Sequence, residues 1–221
     1  MTASAISLQT PVPSDFETLA RIEAAAFQGE EFTLVAIGPS SEAGIAERAQ
    51  SLLNASRPGV TRKYVKAVRT GEDGREEIVG WAQWWRGVDK ALSAKEIEEK
   101  EKAYSQMACP RLCVDALVRG DEHMERACEG KEYLKLGLLV VSPEAQRRGI
   151  GALLLEDGLR EADAAGLQVV LGASSAGEPL YKKYGFVVFE PMTFNLWEYE
   201  GGEGMGVARH TIMHRPAKPR V

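Results

Sequence analysis

Apolar and polar positions along the 221-residue chain change period several times, and each change marks an element. Ser4 to Thr10 alternates and reads as a first strand. Pro13-Ser14-Asp15 then supplies a helix start, with Phe16, Leu19, Ile22 and Phe27 at helical spacing behind it. Gln28 to Pro39 breaks that helix, and a second one, Glu42 to Asn54, is closed by Arg57-Pro58-Gly59. Thr61 to Val68 alternates as a strand, Gly71-Glu72-Asp73-Gly74 is a turn, and Ile78 to Trp85 returns as the second arm of a hairpin. Lys90 to Lys102 interleaves lysines with glutamates, Glu96 with Lys100 and Glu98 with Lys102, as a solvated helix does. Helical character continues from Ser105 to Cys128, so residues of about 88–131 form a helical insertion between two strands, longer than an ordinary connection.

The second half is more regular. Tyr133 to Val141 is a strand whose last residues, Leu138-Leu139-Val140-Val141, are apolar on both faces, as in a central buried strand. Gln146 to Ala165 reads as a helix with Leu155, Leu159 and Ala162 in its buried stripe; Gly158 weakens it slightly and Gly166 ends it. Leu167 to Ala173 is another strand, Pro179 to Tyr184 a short helix, Gly185 to Phe189 a strand, and Val207 to Met213 the last strand after a glycine-rich, mobile Glu200 to Gly206. The order implies an α/β (α+β) fold, a mixed central sheet flanked by helices, in a single domain over residues 1–221.

Composition narrows the class. Apolar residues at 44% and charged residues at 27% match an ordinary globular chain, and no stretch approaches the roughly 20 apolar residues of a membrane span. Met1 to Gln9 lacks a basic start and an apolar run, so the expectation is a cytoplasmic protein without membrane attachment. The net charge of -5 argues against general nucleic-acid affinity. Cys109, Cys113 and Cys128 lack the paired spacing of a zinc site and read as buried thiols; no metal is expected.

The most informative run is Gln146-Arg147-Arg148-Gly149-Ile150-Gly151-Ala152, between the central strand and the leucine-rich helix. A free helix N-terminus is an anion site, because its first N–H groups lack internal partners and the peptide dipoles add positive charge. A P-loop is excluded by the missing Gly-Lys-Ser or Gly-Lys-Thr, and a dinucleotide fingerprint by Leu154 where its third glycine belongs.

Together with the strand order, two motifs resemble the GCN5-related N-acetyltransferase (GNAT) family: Val141-Ser142-Pro143 followed by Gln146 to Gly151, and Pro179-Leu180-Tyr181 through Gly185-Phe186. Residues 162–167 and 173–174 also look like fungal small-molecule members and puromycin acetyltransferase. The resemblance implies acetyl-CoA as acyl donor and transfer to the primary amine of a small molecule by direct attack in a ternary complex, in a monomer or homodimer. It places the pyrophosphate on the Arg148, Gly149, Ile150, Gly151 and Ala152 amides, with Gln146, Arg147 and Ser174 as further cofactor contacts. Leu139, Val140 and Val141 would pair with the pantetheine like an added strand. Tyr181 stands at the general-acid position and also against the cofactor.

The base is the exception to the pattern. Many relatives carry glutamate in Leu-Glu-x-Ser, whereas this chain has Leu171-Gly172-Ala173-Ser174, and Ser174 stands where many have asparagine. An alkylamine of pKa about 10.4 is neutral only about once in 2,500 molecules at pH 7, a deficit of roughly 4 to 5 kcal/mol. Glu30 and Glu31 are the candidate bases, at the position where the family borders its acceptor pocket. His123 has a suitable intrinsic pKa, His210 and His214 read as structural, and Trp84 or Trp85 could line the acceptor site. Transfer to a protein or peptide N-terminus is the alternative acceptor, and a catalytically silent acyl-CoA-binding module the alternative class.

Overall fold

The computed structural model of the protein describes residues 5–54, 60–87 and 94–218. Its strands are β1 (Ala5–Gln9), β2 (Thr61–Thr70), β3 (Glu76–Gly87), β4 (Tyr133–Val141), β5 (Gln168–Ser174), β6 (Val187–Asn195) and β7 (Val207–Arg215). They form one seven-stranded sheet in the order β1-β2-β3-β4-β5-β7-β6. The helices are α1 (Phe16–Ala26), α2 (Glu31–Ala36), α3 (Glu42–Asn54), α4 (Ala94–Ala103), α5 (Pro110–Cys113), α6 (Arg119–Cys128), α7 (Ile150–Ala165) and α8 (Glu178–Lys183). Val114–Val118 is a π-helical stretch joining α5 to α6.

All neighbouring strands are antiparallel except β4 and β5. Parallel partners need a crossover, and α7 is that crossover. Its Leu154, Leu155, Leu159 and Ala162 bury against Ala82 and Trp84 of β3, Leu134 and Leu136 of β4, and Val169 and Leu171 of β5. On the opposite face, α1 and α3 cover Trp81 and Val140 with Phe16, Leu19 and Leu52. Farther along that face, α6 sets Met124, Ala127 and Cys128 against Val170 and Ile212.

Several expectations change. The long helix begins at Ile150, not Gln146, because Pro143–Ala145 forms a 3-10 turn and Gln146 to Gly149 an exposed loop before it. The segment Gln28 to Pro39 contains α2 rather than being only a break. The helical insertion between β3 and β4 stands, and its packing adds to it: α6 is the layer over β5 and β7. The Glu200 to Gly206 segment is tied down, with Leu196 N–H donating to Gly206 O at 3.1 Å, Gly202 N–H to Tyr199 O at 3.0 Å and Gly206 N–H to Glu31 Oε2 at 2.8 Å. The expected closing turn Arg57-Pro58-Gly59, the first residues of the Lys90 helix, Ser4, and the side chains of Glu96 and Lys100 lie outside the described residues.

One buried ion pair locks the end of the sheet to the helices. Arg215, 5% exposed, donates to both Asp163 carboxylate oxygens at 2.7 and 3.0 Å and to Tyr184 O at 3.0 Å. The Arg215 hydrogen bonds, followed by the Lys218 one, hold the Asp163 carboxyl below its ordinary range. A carboxylate depressed on folding contributes stability above its unfolded pKa of about 3.9, and that contribution disappears as pH falls through the folded value. Asp163→Ala should therefore cost about 2 kcal/mol at neutral pH, a charged-hydrogen-bond magnitude. Thermal melts of both proteins should converge as pH falls below 4.

Candidate active site

The site begins where β4 and β5 part. They pair only from Tyr133↔Gln168 to Leu136↔Leu171; beyond that, β4 runs on to Val141 and β5 to Ser174 without bridging. Gly137 starts the divergence, because the β3 register passes from Gln83↔Leu138 to Trp84↔Leu136 and leaves Gly137 as an extra, bulged residue. A gap opens between two strands of a closed core, and a strand edge lines it.

The polarity of that edge follows from the ladder. Ser142 N–H donates to Val79 O at 2.9 Å and Gly80 stands opposite Val141. Antiparallel alternation then spends the backbone of Val140 on Trp81 and turns that of Leu139 and Val141 toward the gap. Gln146 Nε2 donates to Val141 O at 3.1 Å, so this side chain anchors the following turn to β4.

That turn is shaped for an anion. Arg147 and Gly149 both take left-handed torsions, φ 62° and 82°, and the whole Gln146 to Gly149 loop is exposed. A left-handed arginine is strained, and alternating handedness aims successive N–H groups into one concavity. Gly149 caps α7 with no side-chain hydrogen bond, and the first intrahelical donor here is Leu153 N–H to Gly149 O at 3.1 Å. The amides of Ile150, Gly151 and Ala152 are thus the open ones, with the helix dipole behind them.

Packing brings both sequence motifs to the same gap. A Cβ on Gly151 would lie 3.5 Å from Leu139, 3.6 Å from Leu180 and 3.9 Å from Val141 side chains. Tyr181, one residue on, is 7% exposed and stacks edge-on with Phe186 at 5.9 Å. Burial alone pushes its phenol up to about 12, so it remains a proton donor at neutral pH. Ser174 Oγ accepts from Gly177 N–H at 3.3 Å and shapes the turn into α8. Tyr184 donates to Glu156 at 2.6 Å and clamps α8 to α7.

The remaining candidates separate. Glu31 is engaged by the Gly206 amide, whereas the half-buried Glu30 carboxylate has no hydrogen-bond partner among the described residues and burial raises its pKa. His123 faces the β6 side of α6, with Arg126 at 2.8 Å and Glu190 at 4.0 Å, away from the gap. His214 is structural, its Nε2 at 2.8 Å from Gln168 Oε1. Trp84 lies under α7, while Trp85 is half-buried on the other face of the sheet with the Arg62 guanidinium 4.9 Å from its ring centre.

His210, which reads as structural in the sequence, lies on β7 beside the end of β5. It pairs with Ser174 in the β5–β7 ladder and shares the α6 face with Gly172. A Cβ on Gly172 would stand 2.0 Å from His210 Nε2. The imidazole thus fills the space that a side chain at position 172 would take. Burial first, and Lys135 second, hold its pKa down to about 4 against the opposing pull of Asp121. The only available signal was period-two alternation on the last strand, which gives a face but not a neighbour.

Residues 92–197 match a family model described as the acetyltransferase (GNAT) domain. Among solved structures, arylalkylamine N-acetyltransferase 2 from Aedes aegypti superposes with a TM-score of 0.66 at 15% identity, covering 96% of this chain and 99% of that one. Agmatine N-acetyltransferase gives 0.64 at 14%, covering 95% and 99%. A histone acetyltransferase HPA2 and related acetyltransferase from Corynebacterium glutamicum gives 0.59 at 19%, covering 98% and 99%. No curated protein sequence matches the chain. The fold is that of the GNAT acyl-CoA N-acyltransferases, as the sheet order and flanking helices indicate.

Proposed function

From the acetyltransferase (GNAT) domain that residues 92–197 match, we propose an enzyme spanning residues 1–221 that transfers the acetyl group of acetyl-CoA to the primary amine of a small molecule. The observation that carries the reading is the β4–β5 gap, where a free strand edge, an anion-shaped turn and a buried phenol converge. These residues fit acetyl-CoA. The amides of Arg148 to Ala152 would hold its pyrophosphate, Leu139 and Val141 its pantetheine, and the gap its thioester, which supplies the activated acetyl group. Backbone amides at the gap would polarise the thioester carbonyl, and Tyr181 would protonate the departing sulfur.

A small acceptor is favoured over a peptide by the wall of the α1/α3 face. Tyr64 and Trp85 line it beneath the Arg62 guanidinium, 5.2 and 4.9 Å from their ring centres. Tyr104, after α4, packs against the cluster of Val35 and Ala36 of α2 with Leu112 of α5, so the insertion is tied to α2. An aromatic wall suits a compact amine better than an extended chain. The neighbours named for arylalkylamines and agmatine agree with that reading, as does the likeness to fungal small-molecule members and puromycin acetyltransferase. Three free, buried cysteines agree with a reducing cytoplasmic setting, in which the enzyme would act as a monomer or homodimer.

Tyr181→Phe tests the acid. Removing the phenolic proton while keeping the ring should lower amine-dependent kcat about 100-fold, the lower end for general acid catalysis, with acetyl-CoA affinity little changed. Unchanged kcat would remove Tyr181 from the chemistry.

A further inference from the structure

The acceptor's proton still needs a recipient: Gly172 cannot take one and Glu31 is bound to the Gly206 amide, which leaves Glu30 at the start of α2, unpartnered among the described residues, and one imidazole on the sheet itself. We propose that His210, seated over Gly172 from the neighbouring β7, is the general base that takes the proton of the attacking nitrogen. This rests on the acetyltransfer reading and adds to it the residue that completes the reaction.

Placement is the first argument. β5 turns Leu171 and Ala173 to the α7 side, so Gly172 and Ser174 face the other, and His210 stands opposite Ser174 on that side. Tyr181 packs on the α7 side of the same strand end, and its ring carbon is 3.0 Å from a Cβ position on Gly177, just after Ser174. The gap between β4 and β5 is therefore flanked by a proton donor on one face and an imidazole on the other. A glycine at 172 is what admits that imidazole; any larger residue would collide with Nε2.

Availability is the second. No hydrogen bond ties either ring nitrogen of His210 to a described residue, in contrast to His214 and His123. The charged groups that face it are Lys135 on β4 and Asp121 on α6, which are bonded to each other. With its charge disfavoured by burial, the ring is a neutral acceptor throughout the neutral range.

The step balances. The amine reaches the gap uncharged, the N–C bond forms and the C–S bond breaks. One nitrogen proton passes to His210 and the sulfur takes its proton from Tyr181. The two side chains then restore their protons through solvent. Nitrogen becomes acidic only as the N–C bond forms, so an imidazole too weak to deprotonate a free ammonium is still competent at that moment.

The test is His210→Ala, with Gly172→Ala as a second variant that keeps the imidazole and displaces it. Wild-type CoA release with an alkylamine is measured first, together with acetyl-CoA affinity and thermal melting of all three proteins. Both variants should bind acetyl-CoA within about threefold of wild type; His210→Ala should lose about 100-fold in kcat and Gly172→Ala at least tenfold. Added imidazole should restore His210→Ala, with a rescued rate that rises with the neutral fraction of the added base, a limb that the wild type lacks. Full kcat in His210→Ala, or lost activity without rescue while the folded variant still binds acetyl-CoA, overturns the assignment and leaves acetyl transfer standing. Failure of the wild type to release CoA with any amine overturns the transfer reading, and the base with it.

Discussion

Gly151→Glu is expected to weaken acetyl-CoA binding at least 1,000-fold, on the order of 4 kcal/mol. The position is open enough for a methyl group, since a Cβ would make only ordinary contacts of 3.5 to 3.9 Å with Leu139, Leu180 and Val141. Gly151→Ala should therefore fold and bind nearly as the wild type does. A carboxylate from the same carbon reaches the unpartnered amides of Ile150 to Ala152 and competes intramolecularly for them, adding repulsion to the lost hydrogen bonds. Calorimetric titration of acetyl-CoA into the three proteins, with melting temperatures as the folding control, separates the cases. Unchanged affinity in Gly151→Glu would mean that the pyrophosphate lies elsewhere.

What was legible in the sequence was local. The turn from Gln146 to Gly151 announces itself because its torsions, its glycines and the following leucine stripe are all set within a few residues. The hairpin and the central strand are read from period two for the same reason. Glu30, Glu31 and His210 could not be sorted that way. Which of them has a free acceptor depends on whether the Gly206 amide meets α2 and whether β7 lies beside β5, and both are contacts between distant segments. The insertion was opaque for a related reason: the apolar stripe of α6 acquires meaning only from Val170 and Ile212, on strands that come later. Glycine content misled at Glu200 to Gly206, where it serves hydrogen-bonded turns rather than mobility.

Gly158 gives the second large effect. Read along the helix it is a propensity cost of roughly 1 kcal/mol, yet in space it is the seat of Trp84. A Cβ there would lie 2.2 Å from two carbons of the buried indole. Neither can yield cheaply: Trp84 is 1% exposed in the main core, and α7 is fixed at its far end by the Arg215 pair with Asp163. Gly158→Ala should cost about 3 kcal/mol, the upper end for overpacking, and lower Tm by roughly 6 to 12 °C in a chain of this size. Trp84→Phe removes the colliding ring and also a buried N–H that has no partner among the described residues, so the double variant should regain most of that loss. Additive losses in the double-mutant cycle would show that the indole does not fix this glycine.

Amine-dependent release of free CoA from acetyl-CoA, followed across arylamines, polyamines, amino acids and peptides, tests the central claim most directly. The predicted result is release stimulated by a compact primary amine, with one acetylated amine formed per CoA. Tight acetyl-CoA binding with no release for any amine would contradict it and leave a chain that holds the donor without transferring its acetyl group.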